Sequence, residues 1–193
     1  MRRRTFDTLM SLGGLAMTMV LLIAGSLLFV GYTYANNTVT SQLKAQSIFF
    51  PAADNPQMQD PRIGPFVAPY AGEQVVTGRQ AEVYANHFIG VHLEDVAEGK
   101  TYSEVSTLSR ANPDDATLAG QVQTLFRGET LRGVLLTAYA FWQLGQIALW
   151  GSIASFALAI VMATLTVLGF WHRRRVAPEE EILAPPRGLA EAV

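Results

Sequence analysis

The sequence contains no cysteine and carries few charges for a chain of 193 residues. Without cysteine, disulfides, cysteine-ligated zinc, iron–sulfur clusters and thiol nucleophiles are all excluded. Charged residues make up 16% of the chain and hydrophobic residues 50%, a balance that favours a partly membrane-embedded protein. The net charge is -2, and the few basic residues are not gathered in a patch, so we expect no nucleic-acid partner.

The longest stretch without Asp, Glu, Lys or Arg runs for forty residues, from Gly133 to His172. A helix needs only about 20 apolar residues to cross a bilayer. Trp150 and Trp171 are separated by about 32 Å of helix, which matches aromatic side chains at the two membrane interfaces. The pattern predicts a transmembrane helix at 147–172 with an apolar extension before it. Two short spans turning near Gly145 are an alternative that would place the following arginines outside.

A second apolar run follows Arg2, Arg3 and Arg4 and is about twice as long as the core of a cleaved signal peptide. It therefore predicts an uncleaved signal anchor. Arg173, Arg174 and Arg175 close the other span, so the positive-inside rule places both termini in the cytoplasm. The predicted order is a cytoplasmic N-terminus (1–7), a transmembrane helix (8–34), an extracytoplasmic helical domain (35–146), a second transmembrane helix (147–172) and a disordered cytoplasmic tail (173–193).

Within the extracytoplasmic segment, five prolines between Pro51 and Pro69 predict an extended, irregular loop at 51–78. The first helix is expected to continue outward over Val39–Phe50, with a small break at the Asn36–Asn37 pair, and to cover the apolar extension with Ile48, Phe49 and Phe50. Apolar periodicity and capping signals predict the remaining helices at 79–98, 102–111 and 113–146, with Asn112 as the cap of the last one.

Apolar residues recur at helical spacing in the first of these three helices, and His92 falls within the stripe. We expect His92 to be a hydrogen-bonded core histidine. His87 and His92 lie about 140° apart on a helix, so they cannot share one metal ion. If the domain binds a ligand, the expected pocket residues are Tyr70, Phe88 and His92.

Arg127, Glu129 and Arg132 form a possible polar cluster just before the charge-free run. An ordinary surface pair between Glu129 and Arg132 is the simpler alternative. The sequence has no nucleophile–base arrangement, phosphate-binding glycine loop or metal-ligand spacing. We therefore expect no enzymatic activity, no cofactor and no metal site.

Small residues recur every four positions in the second span, a pattern that lets two helix backbones approach closely within lipid. The partner of this face is either the first span, which contains Gly13, Gly14, Ala24 and Gly25, or a neighbouring copy. Two glutamines are expected to add interhelical hydrogen bonds, and a tryptophan to lie in a covered contact. The predicted assembly residues are Gly151, Ser155, Ala159, Ala163, Gln143, Gln146 and Trp142.

Three segments carry a resemblance to a known family: Ser41-Gln-Leu-Lys-Ala-Gln-Ser-Ile-Phe-Phe-Pro51, His87-Phe-Ile-Gly-Val-His-Leu93 and Thr124-Leu-Phe-Arg-Gly-Glu-Thr-Leu-Arg132. Together they resemble a family of two-span actinobacterial membrane proteins without an established function. The resemblance implies an actinobacterial plasma membrane and transfers no catalytic residue.

These observations predict a two-pass, all-α membrane protein whose two transmembrane helices form a hairpin beside a small helical extracytoplasmic domain. The expected role is structural, as a homo-oligomer or an accessory subunit of a larger envelope complex, with membrane lipids and other membrane subunits as partners. One alternative is an extracytoplasmic module that binds a lipid, peptide or small molecule. Another is an oligomeric pore with Gln143 and Gln146 at its mouth.

Overall fold

The computed structural model describes residues 3–177, and its regular structure is helical throughout that range, which confirms the all-α prediction. Helices α1 and α6 are each long and apolar enough to cross a membrane. In chain order the elements are α1 (Arg3–Gln46), a 3₁₀ turn (Pro56–Gln59), α2 (Gly64–Val67), a 3₁₀ turn (Ala68–Tyr70), α3 (Gly78–Val83), a π-helical segment (Tyr84–Ile89), α4 (Gly90–Val96), α5 (Tyr102–Ala111) and α6 (Ala116–Arg175).

The chain divides into two compact units. The two-helix unit comprises Met1–Val30 and Ala148–Val193, and the core unit comprises Gly31–Ile147. The predicted cytoplasmic tail falls almost entirely outside the described residues, because only 173–177 of it are described and Arg173–Arg175 still belong to α6.

In the two-helix unit, the residues that are fully buried between the two helices are small or polar. Gly14 faces Thr166, Gly25 faces the Phe156 ring, and Gly169 faces Ser11, so α1 and α6 run in opposite directions within this unit. The buried positions recur every seven residues on both helices, a spacing that keeps one seam of two helices together over several turns. These positions are Ser11, Thr18 and Gly25 on α1 and Ser152, Ala159 and Thr166 on α6.

Large apolar side chains of the two-helix unit point away from this seam. The exposed set includes Leu9, Leu12, Val20, Ile23, Leu27, Ile153, Leu158, Ile160, Leu165 and Val167. Water would favour the opposite arrangement, with leucines between the helices and polar groups outside.

The core unit buries large apolar side chains in the ordinary way. Leu125 and Leu135 of α6 pack with Val105 of α5 and with Val67 and Val75 from the proline-rich segment, all nearly free of solvent. Phe50 adds an aromatic contact, with its ring centroid 5.3 Å from that of Tyr70 and 5.3 Å from that of Tyr84.

Helix α1 differs from the prediction at both places where a break or an end was expected. It continues through Asn36 and Asn37 without interruption and stops at Gln46 rather than Phe50. Ser47 takes a left-handed backbone conformation (φ 52°), which ends the helix. The next residues are extended instead of helical, because the Phe50 amide donates to the Glu73 carbonyl and the Val75 amide to the Ile48 carbonyl.

The proline-rich segment is not the extended loop that was predicted. It folds into α2 and two 3₁₀ turns, since proline is well tolerated in the first turn of a helix and Pro56, Pro65 and Pro69 all occupy that place. Arg62 then ties the segment to the end of α4 by donating to both carboxylate oxygens of Asp95, at 2.9 and 3.1 Å.

A π-helical segment between α3 and α4 makes the prediction for His92 wrong, because His92 is exposed. In a straight α-helix, residues spaced four positions apart are rotated around the helix axis by about 40° per step, or about 160° over four steps. The extra residue of a π turn removes much of this drift and moves the buried face from position 92 to position 93. The resulting buried row is Ala81, Ala85, Ile89, Leu93 and Ala97.

Helix α5 begins at Thr101 with the capping box that the sequence predicts, in which the Thr101 hydroxyl and the Glu104 carboxylate exchange hydrogen bonds with each other's backbone amides. The start of α6 differs from the prediction by three residues. Asp115, not Asn112, caps it by accepting from the amides of Thr117 and Leu118 at 2.9 and 3.1 Å. Asn112 instead closes α5.

Candidate binding cleft

The core unit contains an apolar cleft of about 490 Å³ between the C-terminal part of α1 and the middle of α6. Each wall is a helical stripe, because the lining residues recur three or four positions apart on both helices. Polar groups lie among the lining residues of α1. The lining comprises Tyr34, Ala35, Thr38, Val39, Gln42, Leu43, Gln46 and Ile48 on one side and Leu131, Val134, Leu135, Thr137, Ala138 and Phe141 on the other.

The floor of the cleft is formed by side chains that belong to the hydrophobic core. Val39, Leu43 and Leu135 are buried there, so their positions are set by packing on both sides. Val134 and Phe141, seven residues apart on α6, stand exposed at the edge. A rigid apolar floor with exposed apolar edges and a few amide groups nearby is suited to an apolar chain or helix.

The apolar extension before the second predicted span is covered on one side only. Trp142 packs against Gly78 at the start of α3 and stacks on Tyr139 with the ring centroids 6.1 Å apart. Of the three residues expected to cover the extension, Ile48 alone lines the cleft. Phe50 is buried elsewhere in the core and Phe49 is exposed, because α1 ends four residues earlier than predicted.

The residues predicted as a ligand pocket are not brought together as one. Tyr70 and Phe88 belong to a chain of aromatic contacts that passes through Phe50 and Tyr84, where they pack in the core. Burial raises the pKa of the Tyr84 phenol within this chain. His92 is exposed on α4 and lies outside the chain.

Of the possible polar cluster, the structure contains the surface pair between Glu129 and Arg132, and Arg132 makes one further contact. Arg132 lies 3.6 Å from the Glu129 carboxylate, and its other terminal nitrogen donates to the Asn86 side-chain oxygen at 3.2 Å. Asn86 in turn donates to Glu82 at 3.0 Å. Arg127 is exposed, and within residues 3–177 it does not pair with either partner. The contacts therefore pin α6 to the π-helical segment.

The predicted small-residue stripe is used in part within the chain itself. Ala159 is buried in the seam of the two-helix unit, and Gly151 faces Leu28. Ser155 and Ala163 are half-buried, as is Gln146, whereas Gln143 is exposed. The intramolecular alternative accounts for the two residues that are most closely packed, and the association with a neighbouring copy stays a prediction.

The two-helix unit also contains a mostly apolar cavity of about 240 Å³ that the sequence analysis did not predict, and Asp7, Ser11, Thr166 and His172 are its polar lining residues. The Thr166 hydroxyl and one Asp7 carboxylate oxygen are buried there and have no hydrogen-bond partner among the described residues. Thr18 and Thr164, by contrast, donate to the carbonyl four residues earlier. The available signal was the lone carboxylate, Asp7, beside a long apolar run.

Within residues 3–177, no three His, Asp or Glu side chains lie together in a way that could hold a metal ion. A hydrogen bond from the Arg62 side chain lowers the pKa of Asp60, but both groups lie on the surface and serve to tie α2 to α4.

The class of protein that these features define is an all-α chain with two potential membrane-crossing helices and a compact helical core unit that carries an apolar cleft. Comparison with family models, with curated proteins and with solved structures finds no match for this chain.

Proposed function

We propose that the protein is a two-span membrane protein that acts as a structural or accessory subunit, binding an apolar helix of a second copy or of another membrane subunit in the cleft of the core unit. Both termini lie in the cytoplasm, and residues 35–146 lie outside. The two spans form a hairpin.

The two-helix unit supports insertion into a bilayer. Most of its leucines, isoleucines and valines are exposed, while Ser11, Thr18, Gly25, Ser152 and Thr166 are buried between its helices. Association of helices in lipid depends on close backbone approach and on interhelical hydrogen bonds rather than on apolar burial. Ser152 supplies such a bond, since its hydroxyl donates to the Gly25 carbonyl at 2.9 Å across the seam.

Topology is tested by single-cysteine labelling, which is clean because the chain has no cysteine of its own. Cysteines introduced at Asn55 and Glu180 are exposed to an impermeant maleimide on intact cells, and again after lysis. We expect Asn55→Cys to react on intact cells and Glu180→Cys to react only after lysis. Reaction of position 180 on intact cells would contradict the proposed orientation.

The observation that carries the assembly role is the cleft. Two parallel stripes of apolar side chains with a preformed floor are the usual receptor for an amphipathic or apolar helix. The exposed edge residues Val134 and Phe141 extend the apolar surface beyond the floor, and patches of this kind on folded domains mark interaction sites.

Two phenylalanines of α6 provide a matched test. Phe141 is 59% exposed and lines the cleft, whereas Phe126 is 57% exposed and lies outside it. Phe141→Asp places a charge where the partner helix would bury it, so we expect the assembly to weaken by at least tenfold. Phe126→Asp is expected to leave it unchanged.

The measurement is the molar mass of the complex in mild detergent by light scattering, together with identification of co-purifying subunits by mass spectrometry. Circular dichroism of both variants establishes that each is folded. Equal complexes from the parent and Phe141→Asp would overturn the assembly role of the cleft.

Occupancy of the cleft by a lipid acyl chain is a second candidate, favoured by its volume, which is in the range of small-molecule sites. Native mass spectrometry of the purified chain distinguishes the two. A bound lipid that is lost in Phe141→Asp, with an unchanged complex mass, would support the binding module in place of the accessory subunit.

A further inference from the structure

A second concavity in the two-helix unit, of about 430 Å³, is lined by Arg4 from the first turn of α1 and by Phe170, Arg173 and Arg174 near the end of α6. The three α6 residues share one helix face, since they are spaced three and four positions apart. Three guanidinium groups from two helices therefore converge on one site.

Two nearby contacts show which arginines are directed to the pocket and which are not. Arg4 is held in place because its Nε donates to the Val176 carbonyl at 2.9 Å. Arg175, in contrast, is diverted to the Trp171 ring, with its guanidinium carbon 4.1 Å from the ring centroid. Arg175 does not line the pocket.

The charge balance around the pocket is strongly positive. The described part of the two-helix unit contains five arginines and a single carboxylate, Asp7, which lines the neighbouring cavity instead. Among residues 3–177, none of the three lining arginines pairs with a carboxylate. An anion bound among like charges that line one concavity offsets their mutual repulsion.

Arginine matches phosphate better than any other side chain because its planar donors can make two parallel hydrogen bonds to the phosphate oxygens. Phe170 supplies an apolar surface next to these donors, and an apolar run of α6 leads up to the site. A ligand with a phosphate at one end and hydrocarbon at the other fits this arrangement.

We propose that the arginine pocket binds the phosphate headgroup of an anionic phospholipid. The inference rests on the proposed membrane insertion. Basic sites between membrane helices on the cytoplasmic side have this specificity in general, and each arginine near a lipid phosphate contributes about a fivefold gain in affinity.

The test uses the full chain in nanodiscs of phosphatidylcholine to which phosphatidylglycerol is added, with lipid retained on the protein counted by native mass spectrometry. Changing Arg4, Arg173 and Arg174 together to Gln is expected to lower the affinity for phosphatidylglycerol on the order of 100-fold. The same three positions changed to Lys are expected to keep most of the binding, because the charge is retained.

A control with the same loss of charge changes Arg110, Arg127 and Arg175 to Gln, none of which lines the pocket. We expect its affinity to stay within about fivefold of the parent. Retained binding in the first variant, or equal losses in the pocket variant and the control, would overturn the proposal. Glu179, Glu180 and Glu181 lie outside the described residues; their change to Gln should not reduce binding, and a loss would count against the site.

Inorganic phosphate as competitor identifies the source of the phosphate group. Binding that millimolar phosphate displaces as well as phosphatidylglycerol does would show a site for soluble phosphate and overturn the lipid assignment. Alkaline carbonate extraction tests membrane insertion separately. A chain that resists extraction but shows no preference for phosphatidylglycerol contradicts only this inference, whereas an extracted chain contradicts the proposed membrane function.

Discussion

The largest fully buried side chains of the core unit are Leu125, Leu135, Val67, Val75 and Val105, whereas the most completely buried side chains of the two-helix unit are the small ones of Ser152 and Ala159. The exposed surfaces show the reverse relation. Charged side chains such as Arg62, Glu94 and Asp95 cover the core unit, and the two-helix unit exposes leucine, isoleucine and valine along most of its length. One chain thus follows two opposite burial rules.

Under the proposed membrane insertion, the difference means that each unit is adapted to a different solvent. In water the free energy of burying apolar area drives packing, so the large side chains go inside. In lipid the hydrocarbon outside is as apolar as a leucine side chain, and what remains to drive association is close packing and hydrogen bonding between helices. Small residues at the seam of the two-helix unit allow both close packing and hydrogen bonding between the helices.

The largest expected effect comes from truncating a matched pair of leucines. Leu135 in the core unit is 1% exposed and Leu158 in the two-helix unit is 55% exposed. Leu135→Ala should lower the free energy of unfolding by about 2–5 kcal/mol because it leaves a cavity in the core. Leu158→Ala should lower it by less than about 1 kcal/mol. Chemical denaturation in detergent micelles measures both, and equal losses would break the comparison between the units.

A smaller effect is expected from two adjacent glycines in α1. A side chain at Gly14 would meet Thr166, whereas the space around Gly13 is open to 4 Å. Gly14→Leu should therefore cost about 1–3 kcal/mol by overpacking the seam. Gly13→Leu adds the same hydrophobic volume on the outer face and serves as the control. Thermal unfolding of the two variants in mild detergent checks this, and a similar midpoint for both would mean that the seam is not closely packed.

Removing the hydroxyl of Ser152 probes the hydrogen bond across the seam. Ser152→Ala should cost about 1 kcal/mol, since the Gly25 carbonyl loses a buried donor. Ser26→Ala is the control, because the exposed Ser26 hydroxyl donates to Leu22 within its own helix. The thermal midpoints of the two variants are compared under one detergent condition. A larger loss for Ser26→Ala would contradict a polar seam.

The smallest effect concerns pH and the surface of the core unit. Hydrogen bonds from the Thr101 amide and hydroxyl lower the pKa of Glu104 below its usual value of 4.5. A depressed pKa stabilises the fold above pH 4.5, and this contribution is lost as the pH falls through the lower folded value. We expect amide protection at the start of α5 to fall on acidification below about 4.5 in the parent but not in Glu104→Gln. Unchanged protection in the parent would show that the capping box does not respond to pH.

Local structure that depends only on residues close together in the chain could be predicted from the sequence. The capping box at Thr101 and Glu104 is present as predicted. A second one at Thr77 and Gln80 carries the same signature and was overlooked. Helix boundaries at which several capping residues compete were harder to predict. Asn112 and Asp115 are both good caps, and Asp115 starts α6 while Asn112 closes α5.

The binding cleft shows more clearly what cannot be predicted from the sequence. Its two stripes are visible as spacing on α1 and α6, but nothing in the sequence says that Val39 and Leu43 share a core with Leu135. The prediction that His92 lies in the core was wrong for a related reason. Its place in the apolar stripe assumed a helix of constant pitch, and one π-helical turn moved the buried face to Leu93.

The sequence by itself determined that the chain is helical and that two stretches are apolar and long enough to cross a membrane, because both properties follow from composition and spacing along one helix. Only the tertiary structure decided which face of each helix is covered. That choice depends on contacts between residues far apart in the chain, such as Ser152 with Gly25 and Trp142 with Gly78. Helical periodicity marks a face, whereas shape and hydrogen bonding select its partner.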